Sequence, residues 1–343
     1  MRVLQIMAGA EHGGAETYFV DMVIALHRVG LEQKVVIRKN AARAAQLRDA
    51  GLDVAELAFG GLLDFTTKGK LATIIDDFAP DVVQSWMNRS TRFVSRPNNA
   101  AFVHVGWFGG YYKVSNYTHC DHLVGVTPDI RDHQIAGGRD VSHAHYIPTF
   151  AHLESAPPVD RAAFGTPPDA PLFLALGRLH TKKAFDILIE AATLSPRAHV
   201  WIAGEGELRD ELIRQIESAD VGDRVSILGW RDDRAALFAA VDYCVMPSRY
   251  EPFGTVMIEA WVQNTPLITA DAKGPLGLIK NGENGLMVPM DDAEALSAAM
   301  DQLMDDDALC ASLVTNARKE FDETFTEGAV AARYLAFYND ILS

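Results

Sequence analysis

The feature that most constrains this chain is a repeated alternation of short apolar runs with helical periods. Such alternation is typical of parallel strands that are buried on both faces and covered by helices. In the first half we predict strands at RVLQIM, KVVI, DVVQSW, AFVHV and HLVGV. In the second half we predict strands at LFLALG, HVWIAG, RVSILG, YCVMP and PLITA.

The segments between these strands have the spacing of amphipathic helices. In AETYFVDMVIALHRVG, the apolar residues Phe19, Met22, Val23 and Leu26 recur at helical spacing, and Gly30 ends the run. The second half has comparable segments at AFDILIEAATL, ELRDELIRQIES, DRAALFAAV and FGTVMIEAWVQ. The predicted fold class is therefore α/β, with two Rossmann-like parallel-sheet domains that face each other across a cleft.

A proline-rich stretch marks the join between the two domains. Residues 148–171 contain six prolines and show no clear period. Together with the length of 343 residues, this predicts an N-terminal domain over 1–150, a linker over 151–171 and a second domain over 172–324. The last segment, about 325–343, is an amphipathic helix beyond the second sheet, and we expect it to return to the N-terminal domain.

The charge of the chain lies in its second half. Residues 1–150 carry 15 Lys plus Arg and 15 Asp plus Glu, whereas residues 151–343 carry 16 and 31. This acidic excess argues against nucleic acid as a partner.

The three cysteines lie far apart without a CxxC pair, which favours a reducing compartment. The N-terminus resembles a buried strand more than a signal peptide, and no apolar run reaches the roughly 20 residues that span a bilayer, so we expect a cytoplasmic protein.

The stretch PSRYEPFGTVMIEAW places Glu251 in a turn and Glu259 in the helix that follows it. We predict that this helix begins near Phe253 to Thr255. Unpaired N–H groups at a helix start bind anions, and Gly254 would let a phosphate approach the backbone closely. The motif therefore predicts a diphosphate at the helix start, with the two carboxylates accepting hydrogen bonds from sugar hydroxyls on either side of it.

Two other interpretations of the carboxylate pair stay open at this point. A glycoside hydrolase needs its carboxyl groups about 5–5.5 Å apart for retention or about 6.5–9.5 Å apart for inversion. Eight helical residues span about 12 Å, and nothing in the sequence favours the hydrolytic spacing. The other alternative is an ordinary surface Glu251 and a helical Glu259 with no shared role.

Further motifs favour the diphosphate. The segment GRLHTKK follows a strand and places Arg178 and Lys183 where two cations would neutralise a diphosphate. The segment AGEGEL provides a glycine-rich turn with Gly204, and ILGW places Trp230 where a flat base would lie. We find no convincing metal-binding motif, because MDDD lies within a helical, exposed segment. We therefore expect neither a metal nor another cofactor.

These motifs occur in the order found in the GT4-type retaining glycosyltransferases of GT-B fold (glycosyltransferase group 1), which the chain resembles over nearly its whole length. The resemblance is carried by GRL with Lys183, AGEGEL, LGW, PSRYEPFG, the pair Glu251 and Glu259, and GPLGLIKNGENGLMVPMDDAEAL, with GGAE in the first half. It implies that Arg178 and Lys183 hold the donor diphosphate, that Glu259 binds the ribose hydroxyls and that Glu251 binds the donor sugar.

The resemblance also implies that Gly14 lies against the phosphates and that His104 touches the sugar near the reacting carbon. His12, beside Gly13, is a weaker candidate, and Ala184 stands where the family usually has a glycine. The predicted catalytic residues are thus His104, Arg178, Lys183 and Glu251. The predicted donor contacts are Gly13, Gly14, Gly177, Gly204, Trp230, Phe253, Gly254, Thr255, Val256 and Glu259.

Candidates for acceptor binding lie in the first half. Arg89, Arg92 and Arg96 follow a predicted strand and suggest contact with an anionic acceptor, such as a phosphorylated or lipid-linked glycan; a solvated loop is the alternative. Trp107 and Tyr111, in WFGGYY, would stack on an acceptor sugar or pack their own loop. The basic segment KVVIRKNAARAAQLR suggests peripheral contact with anionic lipid, or a solvated edge.

We therefore predict a glycosyltransferase that moves a sugar from a nucleotide diphosphate to an acceptor hydroxyl and retains the anomeric configuration. By resemblance, the leaving phosphate helps to accept the acceptor proton, and the product belongs to a lipopolysaccharide or another polysaccharide of the cell envelope. The alternative function is a sugar-nucleotide epimerase or phosphorylase on the same fold, which would need no acceptor or would depend on free phosphate. A non-catalytic binding module would lack the cations and the glutamate pair.

Overall fold

The computed structural model describes residues 1–11, 13–60, 64, 66–96, 101–151 and 153–343. The described residues form two compact units. The first unit comprises Met1–Thr149 together with Glu327–Ser343, and the second comprises Phe150–Thr326.

The first unit is built on a sheet of seven parallel strands, which confirms the predicted α/β class for this half. The strands are β1 (Arg2–Met7), β2 (Glu32–Arg38), β3 (Asp53–Leu57), β4 (Val82–Trp86), β5 (Val103–Phe108), β6 (His122–Gly125) and β7 (Ala144–Tyr146). Their order in the sheet is β3-β2-β1-β4-β5-β6-β7. The helices are α1 (Gly14–Arg28), α2 (Ala41–Asp49), α3 (Thr66–Phe78), α4 (Met87–Thr91), α5 (Pro128–Ala136) and the C-terminal α13 (Glu327–Asp340).

Helix α1 buries the apolar stripe that its sequence predicts. Phe19, Met22, Val23 and Leu26 are all fully buried. Burial of one such side chain contributes roughly 1.5–3 kcal/mol, so this stripe fixes α1 against its unit more firmly than helix propensity does.

Helix α13 is part of the first unit, and a buried polar network joins it to the sheet. The Tyr338 hydroxyl donates a hydrogen bond to Gln84 Oε1 at 2.5 Å and accepts one from Gln5 Nε2 at 3.4 Å. Gln5 Nε2 also donates to Gln33 Oε1 at 3.1 Å, and Trp86 Nε1 donates to Gln5 Oε1 at 2.9 Å. These side chains come from β1, β2, β4 and α13, and their hydrogen bonds reduce the cost of burying polar groups in a core, although Gln84 Nε2 has no partner among the described residues.

The second unit is built on a sheet of six parallel strands. The strands are β8 (Leu172–Leu176), β9 (His199–Ala203), β10 (Val225–Gly229), β11 (Tyr243–Met246), β12 (Leu267–Ala270) and β13 (Leu286–Val288). Their order is β10-β9-β8-β11-β12-β13. The helices are α6 (Phe185–Leu194), α7 (Arg209–Ser218), α8 (Arg234–Ala240), α9 (Thr255–Val262), α10 (Lys273–Leu276), α11 (Ala293–Asp305) and α12 (Asp307–Thr324).

The segment predicted as a linker over 151–171 packs on the second unit. Arg161 lies in a 3₁₀ turn, donates to the carbonyl oxygen of Ala240 at 2.7 Å and forms an ion pair with Asp242 at 3.0 Å. The prolines of the segment disfavour long helices and strands, but they do not prevent the segment from packing on the second unit. The segment is therefore bound to one unit along much of its length.

Each sheet has one point at which its strand order reverses. The reversal lies between β1 and β4 in the first unit and between β8 and β11 in the second. The loops that leave two such strands diverge to opposite sides, and the crevice between them at the carboxyl ends is the usual ligand site of open α/β sheets. The predicted motifs with Lys183 and Glu251 leave the second unit's sheet at this position.

Three histidines cluster at the β6–β7 edge of the first unit. His122 Nδ1 and His145 Nε2 are 3.0 Å apart and share a hydrogen bond, and the rings of His122 and His143 have centroids 4.7 Å apart. The His145 ring also packs on Phe337 of α13. Burial, with the nearby His122 second, lowers the pKa of His145 to about 4, while Asp340 opposes this shift.

We expect this cluster to reduce stability in acid. His145 has a depressed pKa in the folded state, so the unfolded chain takes up a proton first as the pH falls from about 6.5 towards 4. Allowing for partial exposure, His145 alone should cost about 1 kcal/mol of unfolding free energy between pH 7 and pH 5. Urea unfolding at both pH values measures this loss, which His145→Gln should remove. The control is His27→Gln, outside the cluster; equal losses in both variants would contradict the prediction.

Candidate active site

The loops after β8 and β11 bring two predicted catalytic residues together. The Lys183 ammonium donates a hydrogen bond to Glu251 Oε2 and forms an ion pair with it. The two side chains are 22% and 12% exposed, so the pair is shielded but still reachable from solvent. An ammonium has three N–H donors and a carboxylate has two acceptor oxygens, so both groups keep capacity for a ligand.

Close backbone packing shapes the floor of this crevice. A Cβ atom at Gly204 would lie 1.8 Å from the carbonyl oxygen of Gly177, so this position admits only glycine. A Cβ atom at Gly177 would lie 3.1 Å from Cε of Lys183, which shows that the loop runs along the lysine stem. Two of the predicted glycines thus determine where Lys183 can lie.

The residue after Lys183 adopts a conformation that favours glycine. Ala184 has φ 53° and ψ 37°, in the left-handed region, and is fully buried. A non-glycine residue in this region costs on the order of 1 kcal/mol. The backbone explains why the resembled family usually has a glycine here, and this chain tolerates alanine at some cost in strain.

The other cations around the crevice have separate environments. Arg178 is exposed and makes no hydrogen bond or ion pair with any described residue. Lys182 Nζ lies 4.4 Å from the centroid of the Tyr250 ring, a cation–π contact. Arg249 binds both carboxylate oxygens of Asp186, at 2.9 and 2.6 Å, and so ties the β11 loop to α6. Lys183, and not Lys182, is therefore the lysine paired with Glu251.

Helix α9 begins in the crevice as the motif predicts. Its N-cap, Gly254, has φ 91° and no side chain that caps the helix. Thr255 is exposed, whereas Phe253 and Val256 are buried beside it. The first N–H groups of a helix have no intrahelical acceptor, so this end presents donors and positive potential to a ligand.

Glu259 has a partner that the sequence did not reveal. This glutamate is 6% exposed, and Arg234, the first residue of α8, donates to its carboxylate. Burial raises the pKa of Glu259 to about 7, and the Arg234 charge opposes the rise. No motif marks Arg234; the only available signal was that a glutamate in an apolar helix needs a cation.

Three further predicted donor contacts are exposed. Trp230 follows β10 and is 78% exposed, an unusual position for the largest apolar side chain. In the first unit, Gly13 and Gly14 are exposed at the start of α1. A Cβ atom at Gly13 would lie 2.3 Å from Oε2 of the buried Glu16, whereas nothing lies within 4 Å of one at Gly14. His12 lies outside the described residues.

His104 does not occupy the position predicted for it. It is the second residue of β5, near the amino end of the strand, whereas ligands bind at the carboxyl ends. It is 2% exposed, and its Nε2 hydrogen-bonds Ser85 Oγ at 2.9 Å. Burial lowers the pKa of His104 to about 4, so it stays neutral at physiological pH. The predicted contact with the donor sugar was wrong because the strand runs on to Phe108.

Of the two aromatic candidates for acceptor binding, the structure excludes one. Trp107 is 2% exposed and stacks on Tyr18, with ring centroids 6.0 Å apart, so it is a core residue and cannot stack on a sugar. Tyr111 is half-buried, and its hydroxyl donates to Asp129 Oδ2 at 2.5 Å. Its contact with an acceptor stays a prediction.

The three predicted acceptor arginines do not form one group. Arg89 and Arg92 are exposed, on and directly after α4, at the carboxyl end of β4. Arg96 instead forms an ion pair with Asp121, which also accepts a hydrogen bond from the backbone N–H of His104 at 2.7 Å. Arg96 therefore lies towards the amino ends of the strands and not at the carboxyl end where it was predicted, and its contact with an acceptor stays a prediction.

Within the described ranges, no three His, Cys, Asp or Glu side chains come together in a way that would hold a metal ion. No helix in the described part of the chain is both long and apolar enough to cross a bilayer.

Two Rossmann-like units, the second with a cationic crevice at its reversal point, fit the class of GT-B-type glycosyltransferases. Residues 158–320 match the family of glycosyl transferases group 1. The lipopolysaccharide core biosynthesis glycosyltransferase LpsE of Rhizobium meliloti (strain 1021) is 33% identical over 340 residues, which cover 98% of each chain. The chain therefore belongs to this glycosyltransferase family.

One further relative supports the assignment, and one solved structure shares the fold. LpsD of Rhizobium meliloti (strain 1021), also a lipopolysaccharide core biosynthesis glycosyltransferase, is 32% identical over 344 residues, which cover 99% of this chain and 98% of its own. Anabaena Alr3699/HepE, solved in complex with UDP, shares the fold with a TM-score of 0.87 at 19% identity, covering 99% of this chain and 100% of its own. These relatives do not favour the alternative of an epimerase or phosphorylase.

We expect Arg234 to keep Glu259 ionised and the second unit stable. Arg234→Gln leaves a buried carboxylate without its cation, so the unfolding free energy should fall by about 2 kcal/mol at pH 8, where the carboxylate would be charged, and by less at pH 6. Urea unfolding at both pH values measures the loss. Arg214→Gln, which removes an exposed arginine from α7, is the control. A loss that does not depend on pH would argue against a role in ionisation.

Proposed function

We propose that this glycosyltransferase takes its sugar from a nucleotide diphosphate donor that is bound in the crevice of the second unit. The observation that carries the proposal is the ion pair between Lys183 and Glu251 beside the uncapped start of α9. A cation and a helix N-terminus suit a diphosphate, while a carboxylate in the same place suits the hydroxyls of the attached sugar.

Loss of the diphosphate from the sugar builds negative charge on the phosphate oxygens. In the proposed complex, Arg178, Lys183 and the N–H groups of Thr255 and Val256 stabilise that charge. Lys183, paired with Glu251, and the start of α9 are arranged before the reaction starts, so their part of the stabilisation costs little reorganisation in the transition state. The exposed Arg178 side chain is available for this role because no described residue holds it.

The two glutamates would hold opposite ends of the donor. Glu251 would accept hydrogen bonds from the sugar while Lys183 balances its charge against the phosphates. Glu259, with its charge balanced by Arg234, would accept hydrogen bonds from the ribose hydroxyls. Trp230 is exposed enough to lie against the base. The UDP complex of Alr3699/HepE makes uridine the first base to test.

The acceptor is proposed to be a lipopolysaccharide core glycan bound by the first unit. The support is that the two Rhizobium meliloti relatives, named for lipopolysaccharide core biosynthesis, match almost the whole chain.

We further propose that the anomeric configuration is retained, as the motif resemblance implies, with the leaving phosphate accepting the acceptor proton. A Glu251 carboxylate engaged by Lys183 is a poor nucleophile, which supports a reaction without a covalent sugar–enzyme intermediate.

Substitution of the two adjacent lysines tests the proposed function. Lys183→Ala should lower kcat by about 100-fold, equivalent to about 2.7 kcal/mol, because it removes one preorganised cation from the leaving group. Lys182→Ala is the matched control, since Lys182 lies over Tyr250, and it should change kcat by less than about threefold. Donor turnover with UDP-sugars and a core glycan acceptor measures both. Equal activity of the two variants, or an equal loss in both, would argue against the diphosphate site.

We also propose that transfer does not need a divalent metal ion, because the two cations and the helix start would neutralise the leaving diphosphate. Turnover should then stay within about twofold after treatment with excess EDTA and desalting. Restoration of a lost activity by Mg²⁺ or Mn²⁺ would contradict this part of the proposal.

A further inference from the structure

A cavity at the carboxyl edge of the first unit's sheet takes no part in the donor chemistry described above. It measures about 420 Å³ and lies between the loop after β1 and the start of α2. Its walls are formed by Gly9, Ala10, Glu11, Arg38, Lys39, Asn40, Ala41, Ala42 and Arg43. The edge is the one at which open α/β sheets bind ligands, and the described residues of the wall include three cations and one carboxylate.

The cations of the basic segment separate into two groups in the structure. Lys34 forms an ion pair with Asp53 at 2.5 Å, and Arg48 forms one with Glu56 at 3.1 Å; neither lines the cavity. Arg38 and Lys39, together with Arg43, do line it. The side chains of Arg38 and Lys39 make no hydrogen bond or ion pair with a described residue. The unpaired charge of the segment is thus concentrated in the cavity.

Arg43 is held in place by the cavity wall. It is 7% exposed, and its Nη2 donates to the carbonyl oxygens of Ala10 and Glu11, both at 3.1 Å. No described residue accepts a hydrogen bond from its Nε or Nη1. Nε and Nη1 are not among the buried atoms that lack a partner, so they are open to the cavity and can donate to an anion held there.

The start of α2 adds donors to the same cavity. The side chain of the N-cap, Asn40, accepts a hydrogen bond from the backbone N–H of Arg43 at 3.0 Å. The first two helical residues, Ala41 and Ala42, have only methyl side chains and are exposed, so an anion can approach their N–H groups. The helix start and the three cations are independent features that favour the same ligand.

The carboxylates near the cavity leave a net positive charge. Glu11 lines the wall, Glu16 accepts a hydrogen bond from the backbone N–H of Ala10 at 2.7 Å, and Glu56 is paired with Arg48. Among the described residues of the wall, three cations stand against one carboxylate, which fits a doubly charged phosphate monoester better than a singly charged sugar carboxylate.

We propose that this cavity binds a phosphate group carried by the acceptor, so that the enzyme recognises a phosphorylated glycan. The inference rests on the proposed function for the existence of an acceptor, while phosphate binding itself can be measured without transfer. Arg38 and Lys39 contact the phosphate, and Arg43 and the α2 N-terminus complete the site. The phosphate could belong to a sugar or to a lipid headgroup, and the experiment separates these sources.

The test measures binding of inorganic phosphate to the full chain by thermal shift, with potassium chloride at matched ionic strength as the reference. The titration is run with and without saturating UDP, so that phosphate bound at the donor crevice is recognised by its displacement. The double variant Arg38→Gln/Lys39→Gln should weaken phosphate binding at least about tenfold, as expected from the loss of charged hydrogen bonds. The matched control is Lys68→Gln/Lys70→Gln, which removes two exposed cations of α3 and should bind phosphate normally.

A second arm uses vesicles of phosphatidylglycerol, with phosphatidylcholine vesicles as the reference. Phosphate binding that survives UDP and is lost only in the Arg38/Lys39 variant supports the cavity, and vesicle binding lost in the same variant assigns the phosphate to a lipid headgroup. The proposal is overturned if phosphate has no effect beyond chloride, if both double variants respond to phosphate alike, or if the protein binds vesicles but not inorganic phosphate.

Stabilisation of the Arg38/Lys39 variant by UDP shows that this variant is folded. Failure of UDP to stabilise any variant would count against the proposed function, and the comparison of the two double variants would still decide on the cavity.

Discussion

The ion pair between Lys183 and Glu251 is the interaction on which the rest of the second unit's site depends. A carboxylate next to a diphosphate is repelled by it, so an unpaired Glu251 would oppose the binding of the proposed donor. The lysine removes this conflict before the donor arrives, since its ammonium already lies on the carboxylate. The close packing of Gly177 and Gly204 sets the path of the lysine stem, and Gly254 opens the helix start beside it. The glycines of the motifs therefore affect the electrostatics of the site, because their packing determines where the Lys183 ammonium and the positive end of α9 lie.

The strands could be predicted from the sequence wherever they lie inside a sheet. Ten apolar runs were predicted, and each overlaps a strand of the structure. Nine of these strands lie inside a sheet, where a parallel strand is covered on both faces and its sequence is almost continuously apolar, and the tenth, β10, is an edge strand. The three strands that were missed have other sequences. β3 is an edge strand with the half-polar sequence DVAEL, and β7 and β13 have only three residues each. Strands this short are held by their neighbours and the loops around them, and they leave no periodic signal.

Prediction of the site succeeded where the motif itself forms the structure and failed where the side chain depends on tertiary packing. Glu251 and Lys183 lie on turns that directly follow strands, so their place at the carboxyl edge could be derived. His104 and Trp107 were predicted to contact sugars, but both lie on β5, which continues to Phe108, and both are enclosed in the core. Arg234 could not be found from spacing, because its partner Glu259 is 25 positions away. A local pattern identifies turns and helix starts, whereas the partner of a buried charge is determined by how helices pack.

The return of α13 to the first unit also affects the order in which the chain can fold. Tyr338 supplies a hydroxyl to the glutamines at the centre of that sheet, and Tyr334 is fully buried beside it. The first unit is thus discontinuous in sequence, while the second is one uninterrupted segment. During synthesis, all strands of the second unit are available before residues 327–343 leave the ribosome. The first unit still lacks α13 at that stage, so the part of its sheet that α13 covers is exposed. The segment translated first is therefore the last to be completed, which reverses the usual vectorial order.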